Sequence, residues 1–294
     1  MSVRQIIDGG AHQVIEGPDG EQIAVWEYAP AKPRRSVLPV TLVFVHGWTL
    51  DHTLWIPLIE HVQAEHNVRV IAYDQPGHGL TTLGKDPLPT IRSLGEVLAT
   101  VIETTVPDDG PVILVGHSMG GMSIMAYAGA YPERLGPRVR GVLMMGTSAG
   151  DLTRRRQSVE TALMRVVHRA PMIPTGHFIQ TRAQRGTLFG DRCKPEDLAY
   201  TVSVMRATPL PTLSRYYLAL MGHDELEHIG ALARVPTVVM CGEKDRLTST
   251  RHARRIHEAV RGSRLVIVPG AGHMLMFEAL DLLAIELGAL LRSV

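Results

Sequence analysis

The chain has 294 residues, 45% of them hydrophobic, enough for one large α/β domain with a sizeable buried core or for two small domains. Its 30 basic and 29 acidic residues leave a formal charge of +1, which removes any electrostatic reason to expect a nucleic acid, an anionic membrane or a polyanionic partner. The two cysteines, Cys193 and Cys241, form no CxxC or Cys/His metal spacing and read as reduced structural thiols.

Residues 14–16, a turn at 17–20 and residues 22–28 read as an antiparallel hairpin. A polar, proline-containing loop follows at 29–39. From residue 40 the pattern changes: 40–45 is a continuous apolar, β-branched run, as expected of a strand buried on both faces of a parallel sheet. Helical spacing at 52–65 leads to a second buried strand at 68–73. A helix near 91–105, a strand at 112–115, a helix over 119–130 and a strand at 139–145 come next. This alternation predicts a doubly wound, mostly parallel sheet.

Between about 150 and 232 the alternation stops. Helical periodicities are interrupted at Pro171, Pro174, Pro195, Pro209 and Pro211, with no strong buried strand. Strands resume at 237–241 and 265–268, with helices around 251–260 and 277–291. The simplest organisation is a core of residues 1–149 and 233–294 with a helical lid, 150–232, inserted between late strands. The short basic clusters Arg154–Arg156 and Arg254–Arg255 read as solvated helix faces. No stretch at the start of the sequence is apolar enough for a secretion signal and no run reaches transmembrane length, so a cytoplasmic protein is the expectation.

The strongest chemical signal is Gly116-His117-Ser118-Met119-Gly120-Gly121, directly after a predicted strand and before a helix. A serine hydroxyl attacks well only when it is exposed, relieved of its proton and set beside donors for the developing oxyanion. A sharp strand-to-helix turn does this but crowds the backbone, and Gly116 and Gly120 remove the side chains that would clash. The N–H of Met119 is then an oxyanion donor. A second is expected from the loop after the 40–45 strand, where Gly47 permits a close turn and Trp48 supplies the N–H; His46 reads as a prop for that loop.

The base belongs late in the chain. Val268-Pro269-Gly270-Ala271-Gly272-His273 forms a loop after the last strand that presents His273 at the carboxyl edge of the sheet. His78 reads instead as part of a structural turn. The acid that orients the base should end an earlier strand, and Asp245 meets that demand, with Glu243 and Asp151 as alternatives.

Taken together, His46-Gly47-Trp48, Asp74 through Gly79, Gly116 through Gly121, Gly242 to Asp245 and Gly272-His273 resemble the α/β-hydrolase superfamily, most of all its single-domain lipase, esterase and cofactor-free peroxidase-like members. The resemblance runs from about residue 12 to the end, the lid excepted. It implies an α/β-hydrolase sheet, a triad of Ser118, Asp245 and His273, an oxyanion hole at Trp48 and Met119, and no metal or organic cofactor. Ser118 stands where epoxide- and halide-processing relatives need an aspartate, and Met119 where proline-specific aminopeptidases usually carry tryptophan. The expected activity is hydrolysis of a carboxylic ester of a small to medium hydrophobic molecule through an acyl-enzyme. The same triad also suits carbon–carbon bond hydrolysis or acyl transfer, and some members of the fold only bind ligands. A methionine-containing apolar pocket is expected from lid residues such as Leu163, Met164, Met172, Ile173, Phe178, Leu188, Phe189, Met205, Tyr216, Tyr217 and Met221.

Overall fold

Apolar strands that must bury both faces, separated by amphipathic helices, assemble here into an eight-stranded sheet of order β1-β2-β4-β3-β5-β6-β7-β8. The computed structural model describes residues 9–30, 39–152, 157–176 and 179–294. The strands are β1 (Ala11–Glu16), β2 (Gln22–Tyr28), β3 (Thr41–Val45), β4 (Arg69–Tyr73), β5 (Val112–His117), β6 (Val139–Met145), β7 (Thr237–Gly242) and β8 (Arg264–Val268). The hairpin β1–β2 is antiparallel and meets β4 antiparallel, whereas every pairing from β4 through β3, β5, β6 and β7 to β8 is parallel.

Strand periodicity divides the core between the two faces. On β3, Val43 and Val45 join one hydrophobic cluster and Leu42 and Phe44 the other; on β5, Val112 and Leu114 oppose Ile113 and Val115 in the same way. Helices α2 (Ile91–Thr105), α3 (Met119–Ala130) and α8 (Thr250–Ala259) cover the first face. Helices α1 (Ile56–Glu65), α9 (Leu275–Glu278) and α10 (Leu280–Arg292) cover the second. Nearly all of α3 is buried, as its apolar composition on every side requires.

The final helix predicted over 277–291 is two helices. The backbone leaves the helical region at Ala279 (φ −146°, ψ 36°), and Glu278 turns its carboxylate onto the N–H groups of Gly190 and Gly272, each at 2.8 Å. The helix expected over 52–65 likewise begins as a 3-10 turn, His52–Trp55, before Pro57 starts α1 properly.

Between β6 and β7 the chain forms α4 (Gln157–Val167), α5 (Thr181–Leu188), α6 (Pro195–Ala207), α7 (Leu210–Met221) and a 3-10 turn at Ile229–Arg234. Prolines open α6 and α7 at their first turns, where the missing N–H costs nothing. The Arg154–Arg156 cluster and Phe178 lie outside the described residues. Among the described residues no helix is long and apolar enough to cross a membrane.

Because β4 lies on one side of β3 and β5 on the other, the chain reverses its winding direction between β3 and β5. At such a switch point the loops at the carboxyl ends diverge and leave a crevice, the usual ligand site of an open parallel sheet.

Candidate active site

Ser118 follows β5 at that crevice, with φ 54° and ψ −118°. A non-glycine residue in this region carries roughly 1–3 kcal/mol of backbone strain, which persists only where surrounding bonds over-determine it. Here they do: the Ser118 N–H donates to Met145 O (3.0 Å), while its carbonyl accepts from Gly121 N, Met122 N and Thr147 Oγ1 at 2.9, 3.2 and 2.8 Å. The turn depends on Gly120, where an added Cβ would sit 2.0 Å from Val45 O. Nothing larger fits without separating α3 from β3.

His273 lies in the loop after β8 and is 3% exposed. Its N–H donates to Leu188 O (2.7 Å), and its Nδ1 is 2.8 Å from Asp245 Oδ2. A carboxylate only accepts, so Nδ1 carries the proton and Nε2 keeps its lone pair. Asp245 is held by a curled loop: its Oδ1 accepts the N–H groups of Leu247 and Thr248 at 2.8 and 2.9 Å, and its Oδ2 also accepts the Thr248 hydroxyl at 3.0 Å. Burial pushes this carboxyl up, but His273 and the Thr248 and Leu247 N–H groups outweigh it and leave the pKa below the ordinary carboxylate value.

The alternative acids point elsewhere. Glu243 is exposed and accepts the Gly270 N–H at 2.9 Å; Asp151 pairs with Arg251 and Arg255. His78 is sealed in its turn, with Nδ1 3.1 Å from Pro76 O, and burial lowers its pKa to about 3.

Met119 directly follows Ser118, and Trp48 lines the same cavity as Ser118. Met119 opens α3, so its N–H has no intrahelical acceptor. Gly47 passes so close that a Cβ there would lie 3.1 Å from Ser118 Cβ and 2.8 Å from His117 Nδ1. Fully buried His46 fastens this loop: its Nε2 accepts the Gln75 N–H (2.8 Å), which fixes the proton on Nδ1 for donation to Gly47 O (2.7 Å). Gln75 returns a bond to His46 O and accepts from Ser123 on α3, coupling the loop to the helix that follows Ser118. Two supports have no motif in the sequence. Thr248 touches both Asp245 and His273, and buried Glu278 holds the loop before His273; only the placement of a carboxylate inside an apolar run, Leu275–Leu280, hints at the latter.

Ser118, His273, Trp48 and His117 share a cavity of about 580 Å³. Of the apolar residues expected on its wall, Leu188, Met205, Tyr217 and Met221 line it, joined by Ile179 and Leu213. Others do not. Tyr216 is fully buried beneath, 5.2 Å ring to ring from His78, and Phe189 stacks on Phe277. Leu163, Met172 and Ile173 are exposed on the outer surface, and Met164 is half-buried away from the cavity. Among the described residues no group of three His, Cys, Asp or Glu side chains is arranged to hold a metal ion.

Residues 42–286 match the model of the alpha/beta hydrolase family. A proline iminopeptidase of Saccharolobus solfataricus is 27% identical over 268 residues, spanning 82% of this chain and 81% of the relative. A pimeloyl-(acyl-carrier protein) methyl ester esterase of Xylella fastidiosa is 24% identical over 238 residues, 79% of this chain and 87% of the relative. Among solved structures, a thermophilic esterase from Thermogutta terrifontis superposes with a TM-score of 0.77 at 22% identity, covering 96% of this chain and 98% of that one.

Proposed function

Because this chain belongs to the alpha/beta hydrolase family, we propose that it hydrolyses a carboxylic ester of a small to medium hydrophobic molecule through an acyl-enzyme on Ser118. The observation that carries this reading is the opening of a strained serine and of His273, itself bonded to buried Asp245, onto one cavity.

Ser118 Oγ attacks the ester carbonyl while Nε2 of His273, left unprotonated by the Asp245 bond, takes its proton. Asp245 stabilises the imidazolium that results. The N–H groups of Met119 and Trp48 receive the tetrahedral oxyanion; loss of one such donor typically costs about 10²–10³ in turnover. His273 then protonates the leaving alcohol, and water repeats the sequence on the acyl-enzyme.

Residues 150–232 act as the lid, and α5, α6 and α7 supply the apolar wall through Leu188, Met205, Leu213, Tyr217 and Met221. A cavity of about 580 Å³ suits a medium-sized occupant. Both cysteines are free thiols, which supports a reducing, cytoplasmic setting.

The test is turnover of p-nitrophenyl esters of increasing acyl length. Hydrolysis with a maximum in kcat/KM at intermediate length is the expected result. A folded protein that turns over none of them would overturn the reading in favour of carbon–carbon bond cleavage or ligand binding.

A further inference from the structure

The cavity wall carries a second imidazole that the proposed mechanism does not use. His252, in the first turn of α8, lines the same cavity as Ser118 and His273 and is 8% exposed. It stands four residues beyond Thr248, whose hydroxyl bonds to Asp245. Ring orientation is fixed from behind by fully buried Ser148, whose Oγ lies 2.8 Å from His252 Nδ1.

The tautomer follows from counting protons. Ser148 Oγ is 2.6 Å from Gly150 O and accepts the Gly150 N–H at 3.1 Å. A carbonyl oxygen only accepts, so the single hydroxyl proton of Ser148 goes to Gly150 O. The remaining contact then requires His252 Nδ1 to donate, and Nε2 holds a lone pair. Burial first, then Arg251 and Arg255, lower the pKa of His252 and keep the ring neutral. No protein group among the described residues bonds Nε2. The lining of the cavity as a whole is mostly apolar, with Leu152, Leu220, Met221 and Leu247 on it beside the polar Arg246 and Thr248. An acceptor fixed in such a wall is costly to cover with an apolar group, so it discriminates between occupants that satisfy it and occupants that do not.

We propose that His252 Nε2 accepts a hydrogen bond from the substrate, so that the enzyme selects esters bearing a neutral donor, a hydroxyl or an amide N–H, over the same esters without it. The proposal rests on the ester-hydrolase reading and narrows its substrate class. An ammonium donor is disfavoured because the cationic side chain of Arg246 lines the same cavity. Ser148 is the positioning residue: it holds the tautomer that makes Nε2 an acceptor.

The experiment compares kcat/KM for matched pairs of methyl and alkyl esters, with and without a hydroxyl at successive positions of the acyl and alcohol chains, by pH-stat titration. Wild type is expected to favour the hydroxylated member of at least one pair by about tenfold or more, the worth of one buried hydrogen bond. That ratio should fall to near one in His252→Leu and recover in part in His252→Gln, whose amide oxygen can accept from a similar position. A ratio near one for every pair in wild type, or a preference that survives His252→Leu, overturns the proposal while leaving the hydrolase reading intact. Wild type that cleaves none of the esters sinks both together.

Discussion

Ser118→Ala is expected to reduce kcat for ester hydrolysis by about 10⁶-fold, the scale on which removal of the nucleophile from a serine triad acts. KM should move little, because the apolar wall and the oxyanion donors remain in place. The melting temperature should also hold. The backbone bonds that maintain the turn run through Ser118 N and O, and alanine keeps both. Among the described residues the Ser118 hydroxyl makes no hydrogen bond whose loss would account for a fall in stability. A large loss of rate with an unchanged melting temperature therefore separates chemistry from folding, and a Ser118→Ala enzyme retaining even a tenth of its turnover would mean that another group performs the attack.

The second large effect is on stability in mild acid. His46, His78 and His117 are completely buried, and burial first of all lowers the pKa of each, for His117 with the added effect of the neighbouring His273. The unfolded chain protonates these residues at about pH 6.5, whereas the native protein refuses the proton. Below that value the unfolded state binds more protons, so stability falls as pH falls. A residue that stays neutral in the native state removes up to about 1.4 kcal/mol per pH unit, so stability falls by a few kcal/mol between pH 7.5 and 5.5. Asp245 acts in the same sense at lower pH: its depressed pKa contributes stability that is present above about pH 4 and is lost only as pH falls further. The histidine loss thus comes first. Calorimetry should record a melting temperature lower by several degrees at pH 5.5 than at pH 7.5. A flat profile over that range would show that the three imidazoles are not sealed as described.

Much of this architecture was legible in the residues because it rests on local rules. The apolar, β-branched run that becomes β3 can be buried only on both faces, and a serine between glycines at a strand-to-helix junction has few other uses. The choice of acid was less legible. Glu243, Asp245 and Asp151 all follow strands, and spacing does not reveal that the Leu247 and Thr248 N–H groups curl the loop so that one Asp245 oxygen reaches His273. The helices between β6 and β7 were the least legible. Tyr216 and Tyr217 are adjacent and equally apolar, yet one is sealed beside His78 and the other lines the cavity, because the roll of α7 is set by what it packs against. Val159, Leu163 and Val166 repeat at helical spacing on α4 and are exposed all the same. Periodicity identifies a face; tertiary packing decides whether that face meets core, substrate or solvent. Glu278 was hidden for a related reason, since its partners, Gly190 and Gly272, lie 88 and 6 residues away.

The most direct test of the acyl-enzyme on Ser118 is covalent capture. The protein is incubated with an alkyl fluorophosphonate, which reacts with activated serines and expels fluoride, and the intact mass and digested peptides are then measured. One adduct per chain, mapped to Ser118 and accompanied by complete loss of ester hydrolysis, is the result expected of a nucleophile served by His273 and two oxyanion donors. Hydrolysis that continues with Ser118 fully labelled, or inactivation with the adduct on a different residue, would contradict it.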